Sequence, residues 1–271
     1  MTPPCAYRKQ VIDTHCHLTF PEFSGSVDAV LARARADGVR AAITIATTTD
    51  DSRATVALAA EHEGLFASAG VHPLYADRPR NWVDMRHAGS HKKCVAWGEL
   101  GLDAHHATPP LAVQRPLLDE QLAHIAEWRR DGIEKPIIVH CREAFAELIP
   151  ILRASGLPPE RFVFHCFTGT ELDARLALDF GAMVSFTGVL TYGNAEGLRR
   201  AAKLVPVSRA MVETDSPFLS PVPERGAWPN EPRRVVHIAR ELARIYGMPE
   251  RYLEAQLDAN AIAFFGLPLT A

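Results

Sequence analysis

Seven ionisable side chains recur at one kind of position in this sequence, directly after a short apolar or β-branched run: His15, His17, His72, Glu99, His140, His165 and Asp215. Imidazole nitrogens and carboxylate oxygens are the donors that hold divalent cations. His15 and His17 are one residue apart, and alternate side chains of an extended segment share a face, so both can address one ion. Glu99 lies in WGELGLD among Val95, Trp97 and Leu100, whose apolar character implies burial. A carboxylate buried there needs a compensating cation, either a basic residue or metal. Its two oxygens can each take one ion, which suits it to a bridge. His140 in IIVHCREA and His165 in FVFHCFTG have parallel contexts and are expected to do equivalent jobs, the plain alternative being two neutral core histidines. Asp215 in MVETDSPFL can bind a metal and also accept a proton from water. Glu213, two residues earlier, is either a supporting group on the same face or half of a structural ion pair.

Such groups act together only if the fold gathers them. Eight apolar runs alternate with stretches of helical periodicity: residues 10–13, 41–46, 65–71, 94–99, 136–140, 162–165, 182–186 and 210–214. This is the pattern of repeated βα units, whose strands are covered on both faces. In a (β/α)₈ barrel all strand C-terminal ends open on one mouth, so residues distant in sequence converge there. The expectation is a single TIM-barrel domain over residues 1–271, close to the roughly 250 residues such a barrel needs. Leu117, Leu118, Leu122, Ile125 and Trp128 form a helical stripe for core packing, and Gly38 is placed to end a helix over residues 26–37. The Pro- and Gly-rich stretch 217–232 sits where a barrel carries an active-site loop, and a helical tail, residues 232–267, follows.

The net charge of −3 gives no global attraction to nucleic acid, so any polyanion must be held locally. Arg142, Arg225 and Asn230 are candidates for holding an anionic substrate, since the guanidinium fork suits phosphate oxygens, although exposed arginines are commonly just solvated. His72 in AGVHP is either a further metal ligand or a substrate contact, and the second fits better because the other donors fill the metal shells. His105 and His106 either line the mouth or are simply exposed. Cys16, Cys141 and Cys166 each follow a candidate ligand histidine, and pleat alternation points them away as packing thiols. Five cysteines without a C-x-x-C pair suggest neither disulfides nor a zinc ribbon, which fits a reducing cytoplasm. The first ten residues lack the apolar segment of a signal peptide, and no apolar run approaches the roughly 20 residues of a membrane span. Nothing in the sequence requires a protein partner.

DTHCHL at Asp13, GVHP at Gly70, GELGLD at Gly98, HCREA at His140, FHCFTG at Phe164 and ETDSPFLSP at Glu213 together resemble the TatD family of metal-dependent deoxyribonucleases, barrels of the amidohydrolase type. The resemblance runs from Asp13 to about Phe265. It implies two divalent metal ions, Zn, Mn or Mg, with His15, His17, Glu99 and Asp215 on one and Glu99, His140 and His165 on the other. It further implies a cytoplasmic hydrolase that cleaves DNA phosphodiesters, a 3′-5′ exonuclease favouring single-stranded ends, with Asp215 and Glu99 as its catalytic carboxylates. Two departures stand out: Ala104, His105 and His106 follow GLD where the family usually has an aromatic residue, and the loop RGAWPNEP is one residue longer than usual. The alternatives are a barrel hydrolase acting on an amide, lactone or phosphotriester, many of which place a lysine where Glu99 stands, and a metal-dependent nucleic-acid-binding protein without catalysis.

Overall fold

The computed structural model describes residues 10–270; the N-terminal stretch read for a signal peptide, through residue 9, and Cys5 within it lie outside the described residues. Eight strands pair in parallel and in chain order: β1 (Val11–Cys16), β2 (Val39–Thr44), β3 (Leu65–Ala69), β4 (Cys94–Asp103), β5 (Ile137–Arg142), β6 (Phe162–Phe164), β7 (Met183–Phe186) and β8 (Ala210–Val212). Helices α1 (Val27–Ala36), α2 (Thr49–Glu61), α3 (Trp82–Ser90), α4 (Leu111–Arg130), α5 (Phe145–Ala154), α6 (Glu171–Phe180), α7 (Glu196–Leu204) and α8 (Val235–Tyr246) follow the strands in turn, and α9 (Glu250–Phe265) ends the chain. This is the expected (β/α)₈ barrel. Where β1 meets β8 a single parallel bridge joins Cys16 to Ser216, flanked by Asp215 N–H to His15 O at 2.8 Å and His17 N–H to Ser216 O at 2.7 Å.

Strand parity divides the core in two. Ile12, Ile43, Phe66, Ile138, Val163 and Met211 face the barrel interior, where Phe264, Phe265 and Leu267 from the end of the chain join them. Val11, Leu65, Val139, Phe164 and Val184 face outward onto the helices. The α4 stripe Leu117, Leu118, Leu122, Ile125 and Trp128 is buried as its spacing predicts, and Gly38, with φ 94°, follows the end of α1. α9 seals the lower end: Asp258 Oδ1 accepts Ile12 N–H at 3.0 Å, and Asn260 Nδ2 donates to Val207 O and Ala210 O, each at 2.8 Å. With the bottom closed, the top is the end left for ligands.

Irregularities at the upper strand ends set the directions of the site residues. Trp97 and Leu100 of β4 pair with Ile137 and Val139 of β5, so three steps on one strand match two on the other. That extra residue is a bulge, which re-aims the side chain it carries. Gly98 and Gly101 allow it, since a Cβ would stand 2.6 Å from Ile138 O at the first and 1.9 Å from His140 O at the second. A second bulge lies between Asp13 and Cys16, opposite Ala42 and Thr44. β6 and β8 stop before His165 and Asp215, short of the predicted strand ends. Cys166 and Asp215 take φ of 44° and 55°, outside the extended region, and the strands cannot continue through them.

Candidate metal centre

The barrel mouth brings His15, His17, His72, Glu99, His140, His165 and Asp215 into one buried cluster, each arriving from the end of a different strand except for the first pair. His15 Nε2 lies 3.2 Å from His17 Nε2, 3.6 Å from Glu99 Oε1 and 3.6 Å from Asp215 Oδ1. His17 Nε2 lies 3.5 Å from Glu99 Oε1 and 3.4 Å from Asp215 Oδ1. Donors at the corners of a tetrahedron around one ion, about 2.0–2.1 Å from it, stand about 3.4 Å apart, so this group has the spacing one cation requires. The other oxygen of Glu99 serves a second group: Oε2 is 2.7 Å from His165 Nε2 and 3.5 Å from His140 Nδ1, and those two nitrogens are 3.2 Å apart.

The outward nitrogens of His17 and His140 are tied down by hydrogen bonds, and that of His165 faces a carboxylate. His17 Nδ1–H donates to Ile45 O at 3.2 Å, so in the neutral ring the lone pair of Nε2 faces the centre. His140 Nε2 donates to Asp103 Oδ2 at 2.9 Å, and His165 Nδ1 is 3.3 Å from Glu213 Oε1. Carboxylates behind metal-binding histidines fix the tautomer and raise ligand basicity. Asp103 is itself held by the backbone N–H groups of His105 and His106 at 3.0 and 2.9 Å and touches the His106 ring at 3.1 Å.

Electrostatics show what the cluster lacks. Burial would lower the pKa of His17, His140 and His165, yet all three are raised by the carboxylates of Asp215, Asp103 and Glu99, with Glu213 adding at His165. Burial likewise would raise Glu99 and Asp215, yet both stay below the carboxylate range because of these imidazoles. His15, deep in the barrel beside His165, goes the other way and is lowered, chiefly by burial. Two imidazole contacts at 3.2 Å, His15 to His17 and His140 to His165, set nitrogen against nitrogen, which is repulsive unless a proton or cation lies between. Glu99 Oε2 and His15 Nδ1 are buried without a well-directed hydrogen bond. A centre that collects positive charge and leaves such atoms unpaired fits divalent cations, which supply both.

The model of the family described as TatD related DNase matches residues 12–266. The chain belongs to the TatD family. It is 38% identical over 256 residues to the Escherichia coli K12 protein named uncharacterized metal-dependent hydrolase YcfH, covering 93% of this chain and 94% of that one. It is 34% identical over 266 residues to the 3′-5′ ssDNA/RNA exonuclease TatD of Cronobacter sakazakii, covering 94% and 97%. The crystal structure of YjjV, a TatD homolog from E. coli K12, superposes with a TM-score of 0.87 at 30% identity over 95% of this chain and 98% of that one. The chain is accordingly a metal-dependent hydrolase of the TatD family, acting on ester bonds.

Within this TatD barrel the residues expected to touch substrate fare differently. His72 lies inside the cluster, its Nε2 3.1 Å from His140 Nδ1 and 3.8 Å from Glu99 Oε2. Its Nδ1 accepts the Leu74 N–H at 3.0 Å, so the neutral ring carries its proton on Nε2 and is a donor toward the centre, while the ligand atoms of His72, Glu99 and His140 also stand within 4.8 Å of one another, close enough to hold a cation. Burial pushes its pKa down to about 3 and keeps it neutral. Arg142 is exposed at the end of β5, where it pairs with Asp103 in the ladder. Arg225 is exposed with its guanidinium 4.1 Å above the Tyr192 ring. Asn230, read as an available loop residue, is instead fully buried: its Nδ2 donates to Thr214 O and Phe218 O, and its Oδ1 accepts Glu231 N–H, so its polar atoms are engaged in bracing the loop. Cys16 and Cys141 are buried packing thiols; Cys166 is half-buried, and burial raises all three above the usual thiol range. His105 and His106 are exposed, with His105 Nδ1 on Glu143 at 2.8 Å.

Asp103 was not singled out from the sequence. Its signal was present: Glu99, Gly101 and Asp103 alternate, and beyond the bulge alternate residues of β4 share a face. Among the described residues no helix is long and apolar enough to cross a membrane.

Proposed function

We propose that this hydrolase uses two divalent cations to cleave phosphodiester bonds at the 3′ ends of single-stranded DNA. The observation that carries the reading is the division of Glu99, with Oε1 in the His15, His17 and Asp215 group and Oε2 in the His140 and His165 group. Strand end and polarity follow the name of the Cronobacter relative. His15, His17, Glu99 and Asp215 would hold one ion, and Glu99, His140 and His165 the other. When bound, such ions polarise phosphoryl oxygens and bring the pKa of water toward neutrality. Four imidazoles favour Zn or Mn over Mg.

The protein's own groups supply the rest. Asp215 stays ionised, and its Oδ2, which carries no hydrogen bond among the described residues, is the atom that takes the proton of the attacking water. His72 donates Nε2–H to a phosphate oxygen, with a tautomer set by Leu74 N–H. Arg142, at the edge of the mouth, pairs with the same phosphate.

The test is metal-stripped protein incubated with 3′- and 5′-labelled single- and double-stranded oligonucleotides, DNA and RNA, while Zn, Mn and Mg are added singly. Stepwise shortening from the 3′ end of single strands, seen only with added ion, is expected. Hydrolysis of small esters or lactones with every oligonucleotide left intact would reject the reading. A narrower expectation concerns Asp103: Asp103→Asn removes the charge behind His140 and should weaken metal affinity by about 10–100-fold, measured by competition with a chromophoric chelator.

A further inference from the structure

A line of aromatic rings leads out of the metal centre to the surface. The His17 ring stacks on Phe20 with centroids 4.7 Å apart and planes 23° apart. Phe218 stands edge-on to Phe20 at 6.2 Å and to His17 at 6.5 Å, and Trp228 follows at 5.9 Å from Phe218. Phe218 is 41% exposed and Trp228 61% exposed, so the outer rings show open faces to solvent. Neither belongs to the hydrophobic core clusters.

The platform beneath them is stiff. Asn230 N–H donates to Pro217 O at 2.8 Å and its Nδ2 to Phe218 O at 2.6 Å, while Ser220 Oγ donates to Ala227 O at 2.6 Å. These bonds stitch the segment after β8 to the segment that carries Trp228. Phe218 N–H also closes a turn on Asp215 O at 2.9 Å, so the first exposed ring is positioned by a residue of the metal cluster itself. Rings presented by a braced loop lose little freedom when a ligand covers them.

We propose that Phe218 and Trp228 form a base-stacking subsite for nucleotides flanking the scissile phosphate of a single-stranded nucleic acid. The inference rests on the phosphodiesterase reading and adds the means of holding the strand. A chain with net charge −3 has no general attraction for polyanions, so affinity must come from local contacts. Aromatic faces suit that need, because every base has a π-face and stacking tolerates any sequence. Bases within a duplex are already stacked on their neighbours and cannot reach these rings, so the same contacts select single strands. Arg225, stacked on Tyr192 in the same loop region, stands ready to meet the strand's phosphates.

The experiment measures binding, without turnover, by metal-stripped protein. Fluorescence anisotropy is read with labelled octathymidylate and with an octamer of abasic tetrahydrofuran units carrying the same phosphates. Trp228→Ala should weaken octathymidylate binding about tenfold and leave the abasic strand unchanged, and Trp228→Phe should stay within about twofold of the parent. Equal affinity of Trp228→Ala and parent for octathymidylate overturns the proposal, as does an equal loss on both strands. Circular dichroism confirms that the exposed substitution leaves the fold intact. If the parent with metal restored cleaves no oligonucleotide while the thymidylate-specific loss persists, the phosphodiesterase reading fails and the stacking subsite stands.

Discussion

Glu99→Gln is expected to lower kcat/KM for oligonucleotide hydrolysis by at least about 10³-fold, more than the roughly 10–100-fold attached to groups behind metal ligands. The reason lies in the two oxygens. Oε1 faces His15 and His17, and Oε2 faces His140 and His165. An amide keeps one acceptor and turns an NH₂ donor toward one of the two groups, which then loses its shared anion and confronts imidazole nitrogens with hydrogens. Metal content measured by mass spectrometry should fall together with activity. The fold should persist, because glutamine matches the shape of glutamate and the bulge that holds it is defined by Gly98 and Gly101. Full metal occupancy with undiminished turnover would show that Glu99 is not the shared ligand.

Asp215→Asn is expected to cost about 10³-fold in kcat, with a smaller effect on KM. Asparagine is among the residues most at home at positive φ, and Asp215 sits at φ 55°, so the backbone accepts it without strain. The substitution therefore probes chemistry separately from folding. Asn retains an oxygen that can face His15 and His17 but has no basicity for the proton of water. Single-turnover rates on a 3′-labelled oligonucleotide measure the effect, with thermal denaturation as the control for stability. Turnover equal to that of the parent would remove Asp215 from its role as base.

Much of this site was legible because strand periodicity and donor chemistry point to the same places. The apolar runs before His15, His140 and His165 announce strands, and the barrel topology then brings their ends together. Glu99 was legible as a ligand, but not the bulge that aims it, since an extra residue in one strand shows only against its partner. His165 and Asp215 were read as strand ends, yet they stand beyond the strands in irregular segments that alternation does not describe. Asn230 looked like a polar loop residue available to substrate; a buried amide whose partners are backbone groups of Thr214 and Phe218 is visible only in three dimensions. The tautomer of His72 likewise depends on one backbone N–H two residues away.

The join between the first and last strands has few backbone bonds of its own, yet His15, His17 and Asp215 face one another across it. An ion held there would act as a rivet between the two ends of the barrel wall. Loading the protein with metal would then also lock the circle shut, and catalytic competence and closure of the ring would rise and fall together.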